Sequence, residues 1–283
     1  MASKLPASPV WFITGCSTGF GLALAERVLD RGHRCVVTAR KLTQVEAIAA
    51  RYPELALAIS LDVTDSASRE RAISLAESHF GRIDILVNNA GGGYNSAIEE
   101  GDEKTVRAMF DVNVFGLAAM MRQVLPGMRQ RGFGHMVNFS SIGGLTGNPG
   151  TGYYCATKFA VEGMSQSLNA EASHLGIRVT LVEPGPFRTD FQGRSMSIPK
   201  TTIDAYAETA GIRRTQLKQR SGNEPGDPVR GAEAIIEAVL SESPPLHLLL
   251  GSMALERARD ALTKRLAVFD KWESVTVSAD YPN

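Results

Sequence analysis

Short aliphatic runs alternate with helix-length amphipathic stretches along most of this chain, and that alternation constrains its fold more than any other feature. The runs at residues 10–13, 34–38, 56–61, 83–88, 135–139, 177–183 and 246–250 read as strands. The stretches at 22–30, 44–51, 66–80, 103–131, 153–175, 229–240 and 253–272 read as helices, several stopped by glycine at Gly32, Gly81 and Gly176. The long stretch 103–131 should break where Pro126-Gly127 intrudes, because proline has no N–H to give the helix. The tail 273–283 reads as extended. Strands alternating with helices at this spacing predict one seven-stranded parallel sheet, doubly wound with helices on both faces. Ligands then sit beyond the carboxyl ends of the strands, where the strand order reverses.

The chain has 283 residues, enough for one large α/β domain, and no linker divides it. Thirty basic residues balance thirty acidic ones, so nothing calls for nucleic acid or an anionic membrane as partner. No apolar run approaches the roughly 18 residues of a membrane span. The first nine residues lack the layout of a secretion signal, so a cytoplasmic location is expected. Cys16, Cys35 and Cys155 are odd in number with no Cys-x-x-Cys, which fits a reducing compartment. Cys155 reads as a small buried side chain, since no histidine stands near it in sequence. The five histidines, all read as surface or element-end residues, make no metal-ligand spacing, and no metal is expected.

Chemistry concentrates at the predicted strand ends. The first strand runs into Thr14-Gly15-Cys16-Ser17-Thr18-Gly19-Phe20-Gly21. Without Cβ atoms at Gly15, Gly19 and Gly21 the backbone can bend tightly toward a phosphate, and the helix that follows aims free N–H groups at it. Ser17, Thr18 and Phe20 complete that candidate cradle. The second strand ends in Thr38-Ala39-Arg40-Lys41, with no carboxylate to accept from a ribose hydroxyl. A guanidinium at Arg40 suits a 2′-phosphate, so NADP(H) is preferred and NAD(H) remains possible. Asp62-Val63 closes the third strand, where the carboxylate reads either as an adenine acceptor or as a helix cap. Asn88-Asn89-Ala90-Gly91 closes the fourth, with room for a nucleotide and an amide able to bridge strands. Tyr154 and Lys158 stand one helical turn apart, thirteen to fourteen residues after Ser140-Ser141. An ammonium near a phenol should lower its pKa and make it a proton carrier.

From residue 10 to 251 the chain resembles the short-chain dehydrogenase/reductase family. The pattern lies in Thr14-Gly15 with Gly19 and Gly21, Asp62, Asn88-Asn89-Ala90-Gly91, Asn113, Ser141, Tyr154-x-x-x-Lys158 and Pro184-Gly185. The wording around residues 13–17 and 154–163 is similar to the 17β-hydroxysteroid and retinol dehydrogenases. The resemblance implies a Rossmann-like fold and specific roles. Tyr154 would be the acid/base, Lys158 would lower its pKa and hold the nicotinamide ribose, and Ser141 would bind the substrate oxygen. Asn113 would hold a proton-relay water, and Pro184, Gly185 and Thr189 would touch the nicotinamide amide. Ser140 is the runner-up for the serine. Tyr153 is a decoy, because Thr157 rather than a lysine follows it by four. NADP-preferring members often carry a basic residue in the glycine turn; here Thr18 stands in that place, so Arg40 carries the preference.

Residues 186–228 break the alternation and read as a lid. Phe187, Phe191, Met196, Ile198 and Tyr206 suggest an apolar substrate, or else pack the lid itself. Arg213-Arg214 reads more readily as an exposed basic pair than as a receptor for an acidic group. The combined expectation is an oxidoreductase moving a hydride between NADP(H) and a carbonyl or secondary alcohol. The alternatives are a non-catalytic NADP(H)-binding sensor or scaffold, and a nucleotide-sugar epimerase or dehydratase. A homodimer or homotetramer, paired through the two long helices, is expected by resemblance.

Overall fold

A computed structural model describes residues 5–281; the first four residues of the leader reading and the last two of the tail lie outside it. In chain order the elements are β1 (Val10–Ile13), α1 (Gly19–Asp30), β2 (Arg34–Ala39), α2 (Glu46–Arg51), β3 (Ala56–Ser60), α3 (Ser66–Phe80), β4 (Ile85–Asn88) and β5 (Gly93–Tyr94). Then come α4 (Glu103–Phe110), a π-helical turn (Asp111–Gly116), α5 (Leu117–Arg131), β6 (Gly134–Phe139), α6 (Gly152–Ala172) and β7 (Ile177–Pro184). β8 (Met196–Ser197), α7 (Ile212–Arg220), α8 (Pro228–Leu240), β9 (His247–Leu250) and α9 (Ser252–Val277) complete the chain.

Seven strands form one parallel sheet in the order β3-β2-β1-β4-β6-β7-β9. β1 and β4 are buried along their whole length, which is why they read as unbroken aliphatic runs. Trp11, Ile13, Val37 and Val87 pack with Leu24 and Val28 of α1 and Ile235 and Ile236 of α8. Phe12, Val36, Leu86 and Leu181 pack on the other face, with Ile73 of α3, Met120 and Val124 of α5, and Val161 and Leu168 of α6. Strand order reverses between β1 and β4, so the crevice opens beyond their carboxyl ends, at the glycine turn.

Three expectations need correction. The helix at 103–131 does not break at Pro126, which lies inside α5 on its exposed side, where water can serve the carbonyl that proline leaves unpaired. The irregularity lies earlier, at Asp111–Gly116, a π turn whose one glycine, Gly116, packs against Val63. The closing helix runs to Val277 instead of stopping at residue 272. Val275-Thr276-Val277 favours extended backbone, yet lengthening an existing helix needs no new nucleus. Finally, His135 is not a surface residue; it is buried, with Nε2 2.9 Å from Thr180 Oγ1. Among the described residues no helix is long and apolar enough to cross a membrane.

His135 makes a linkage prediction. Burial, aided by the charge of Arg178 and opposed by a hydrogen bond to the Val239 backbone, lowers its pKa from 6.5 to about 3. The unfolded chain therefore takes up a proton below about pH 6.5 that the folded protein refuses until about pH 3. Stability contributed by neutral His135 is lost as pH falls through that window, by about 1.4 kcal/mol per pH unit. Urea denaturation should show His135→Gln losing stability less steeply than the parent on acidification; equal slopes would contradict the assignment.

Candidate active site

The crevice begins with hydrogen bonds between two strand ends. Thr14 Oγ1 donates to Val87 O at 3.2 Å and accepts from Asn89 N and Ala90 N, each at 3.0 Å. Asn89 Nδ2 donates back to Thr14 O and Gly15 O, both at 2.9 Å. Gly15 and Gly19 adopt positive φ (75° and 60°), which side-chain-bearing residues rarely do. A Cβ on Gly21 would lie 2.2 Å from Gly15 O and 2.4 Å from Asn89 Nδ2, so this glycine lets the helix and turn touch. α1 starts at Gly19, and its first N–H groups face the crevice as a site for an anion.

A cavity of about 760 Å³ extends from this cradle. Its walls include Arg40, Asp62, Ala90, Ser141, Tyr154, Lys158, Gly185 and Thr189. Arg40 is exposed and makes no ion pair among the described residues. Burial pushes the Asp62 pKa up, but the Thr64 hydrogen bonds and the charges of Arg40 and Arg69 outweigh it and the net shift is downward. The cap of α3 is Asp65, which accepts from Ser68 N at 2.8 Å, so Asp62 is free of that duty.

Across the cavity, α6 presents Tyr154 and Lys158 on one face. Burial pushes the Tyr154 phenol up to about 12, against a hydrogen bond with Ser141 that pulls it down. This corrects the expected lowering. Lys158 Nζ donates to Phe139 O at 2.6 Å and lies 5.7 Å from the centroid of the Tyr154 ring, so burial of the phenol prevails. Burial also lowers the Lys158 pKa to about 8, opposed by the charge of Glu162. Ser141 faces the phenol, and its Oγ accepts from Gly143 N at 3.1 Å. Ser140 Oγ instead turns toward Glu162, behind the lysine. Tyr153 OH donates to Ile98 O at 2.8 Å, away from the other groups.

The family model described as short chain dehydrogenase matches residues 9–198. The chain is a short-chain dehydrogenase. Oxidoreductase BOA17 of Botryotinia fuckeliana is 36% identical over 271 residues, covering 95% of this chain and 98% of that protein. A short-chain dehydrogenase from Streptomyces avermitilis superposes with a TM-score of 0.90 at 40% identity, covering 96% of this chain and all of that one. A 3-ketoacyl-(acyl-carrier-protein) reductase from Brucella melitensis, solved with NADH, matches at 26% identity and a TM-score of 0.70, over 86% of this chain and 96% of that one. Membership makes this chain an oxidoreductase of alcohol and carbonyl groups that works with NAD or NADP.

Most residues singled out in the sequence of this dehydrogenase line one cavity: Gly15, Ser17, Thr18, Gly19, Phe20, Arg40, Asp62, Val63, Asn89, Ala90, Gly91, Ser141, Tyr154, Lys158, Pro184, Gly185 and Thr189. Gly21 and Asn113 do not. Gly21 packs behind the turn. Asn113 is buried in the π turn, where its amide donates to Gly92 O at 2.8 Å and Thr157 Oγ1 at 3.0 Å and accepts from Gly92 N at 2.9 Å. Its side chain thus ties the loop after β4 to α6.

Residues 186–228 lie over the crevice. Thr189 stands above Gly19, and β8 pairs with β5 in a small parallel ribbon. Phe187, Phe191 and Met196 line the cavity; Ile198 is exposed, and the hydroxyl of Tyr206 donates to Glu99 at 2.7 Å. Arg213 and Arg214 are not an exposed pair. Arg214 bonds buried Glu100 at 3.2 Å, while Arg213 lines the cavity. Sequence reading also missed a cluster of Glu162, Glu183 and His247, whose ligand atoms lie within 4.8 Å of one another. Three elements contribute it, so no local spacing announces it.

Proposed function

We propose that this dehydrogenase moves a hydride between NADP(H) and a carbonyl or secondary alcohol of a largely apolar small molecule, with Tyr154 as its proton carrier. The observation that carries this reading is the meeting of Ser141, Tyr154 and buried Lys158 in the wall of the cavity that starts at the glycine cradle. The cradle fits a pyrophosphate, since a Cβ on Gly15 would already lie 3.0 Å from Ala90 Cα and the helix N–H groups are free. Arg40 would take the 2′-phosphate, Asp62 the adenine side, and Gly185 and Thr189 the nicotinamide end. When bound, the nicotinamide supplies the hydride.

The protein's own residues do the rest. Ser141 and Tyr154 hydroxyls orient the substrate oxygen and meet the charge that develops on it. A phenol pushed up to about 12 is protonated at neutral pH, the form that gives a proton to an alkoxide during reduction. Lys158, cationic below about pH 8, stabilises the phenolate left behind. Asn113 holds the Gly92 loop against α6 through its amide. Residues 186–228 act as the substrate lid, with Phe191 and Met196 as its apolar inner side. Phe115 and Phe159, exposed on the two long helical stretches, mark the face for pairing with a second copy.

Tyr154→Phe should lose at least about a hundredfold in turnover while still binding NADPH by fluorescence titration. Near-parental turnover would refute the role. Arg40→Ala should reduce the ratio of kcat/KM with NADPH to that with NADH by at least about tenfold, the worth of a charge-assisted hydrogen bond. An unchanged ratio would place the preference elsewhere.

A further inference from the structure

The Tyr154 side of the cavity carries more positive charge than an apolar substrate needs. One face of α7 supplies Arg213, Leu217 and Arg220, spaced at i, i+4 and i+7. α9 brings Met253 and Arg257 to the same cavity, one turn apart. Arg213 is half-buried, and its Nε is buried with no hydrogen-bond partner. It lies close enough to Arg257 and Arg220 for their charges, added to burial, to lower its pKa, and close enough to Cys155 to feel the residue beside Tyr154.

Other arginines nearby are paired. Arg214 bonds Glu100, and Arg194 bonds Asp190 at 2.5 Å. Among the described residues Arg213, Arg220 and Arg257 form no ion pair. The cavity wall also holds the carboxylates of Asp62, Asp111 and Glu224; Asp62 feels the charge of Arg40, and Glu224 Oε2 accepts from Gly222 N at 2.9 Å. Three guanidinium groups, none of them in an ion pair, leave an excess of positive charge here. Holding such like charges together is unfavourable until an anion supplies acceptors for them. Guanidinium forks match the two oxygens of a carboxylate or phosphate. Phe191, Met196, Leu217 and Met253 add apolar surface to the same cavity, Phe191 beside the Tyr154 ring.

We propose that the substrate is an amphipathic carbonyl compound whose anionic end group, a carboxylate or a phosphate, is bound by Arg213 together with Arg220 and Arg257. This rests on the redox reading of Tyr154 and deepens it by naming the substrate class.

The test is NADPH-dependent reduction of matched medium-chain substrates: keto acids, their methyl esters, and hydroxyketone phosphate monoesters. The enzyme should prefer one of the anionic series over the ester by at least about tenfold in kcat/KM, mainly through KM, and the better series identifies the anion. In Arg213→Met the ratio of anionic to neutral substrate should collapse toward one. An ester reduced as well as either anion, or a ratio unchanged in Arg213→Met, overturns the proposal while leaving the redox reading in place. If no carbonyl compound turns over, the redox reading fails instead. Calorimetric binding of decanoate, decyl phosphate and decanol then decides the anion site. Either anion binding more tightly than decanol, with the difference lost in Arg213→Met, upholds it; equal binding, or a difference that survives the substitution, overturns it.

Discussion

The hydrogen-bonded clasp between Thr14 and Asn89 is the constraint on which the site depends. It joins the carboxyl ends of β1 and β4, the two strands at which the strand order reverses. Two parallel strands diverging toward helices on opposite faces leave a crevice there, and the clasp fixes its floor. With Asn89 Nδ2 holding the Thr14 and Gly15 carbonyls, the glycine turn has one arrangement, and α1 is placed with its amino end at the crevice. Gly21 belongs to the same device, since any side chain there would drive Gly15 and Asn89 apart.

Electrostatics of the opposite wall follow from burial more than from pairing. Lys158 is buried and Tyr154 half-buried at the cavity wall, and desolvation favours the neutral form of each, raising one pKa and lowering the other. The result is a protonated donor beside a cation that sits near its own titration range. Glu162, one turn further along α6, is itself raised to about 7 by burial and by Glu183, with His247 opposing. The lysine therefore stands between a phenol it can stabilise as phenolate and a carboxyl group whose pKa burial raises.

The parts of this arrangement legible in the sequence are the local ones. A turn needing glycine at Gly15 and Gly19, a Tyr and a Lys one helical turn apart, and strands buried on both faces each leave a short-range pattern. The strand and helix order could be read for the same reason. What escaped reading depends on contacts far apart in sequence. The downward pull expected on Tyr154 assumed that proximity to Lys158 outweighs burial, a balance that only the surroundings decide. The π turn around Asn113 is tied by tertiary packing against Gly92 and Thr157, and a single glycine at its end, Gly116, does not announce it. Arg213 and Arg214 are neighbours with different fates because successive positions on a helix face different directions, one to Glu100 and one into the cavity.

The clasp can be tested directly through the affinity of the protein for NADPH. Asn89→Ala removes the two hydrogen bonds that hold the glycine turn and touches neither Tyr154 nor Lys158. With each bond worth about 1 kcal/mol, fluorescence titration should show NADPH binding at least about tenfold more weakly in a variant that keeps its far-ultraviolet circular dichroism. Parental affinity in that folded variant would contradict the account, because the cradle would then hold its shape without the clasp.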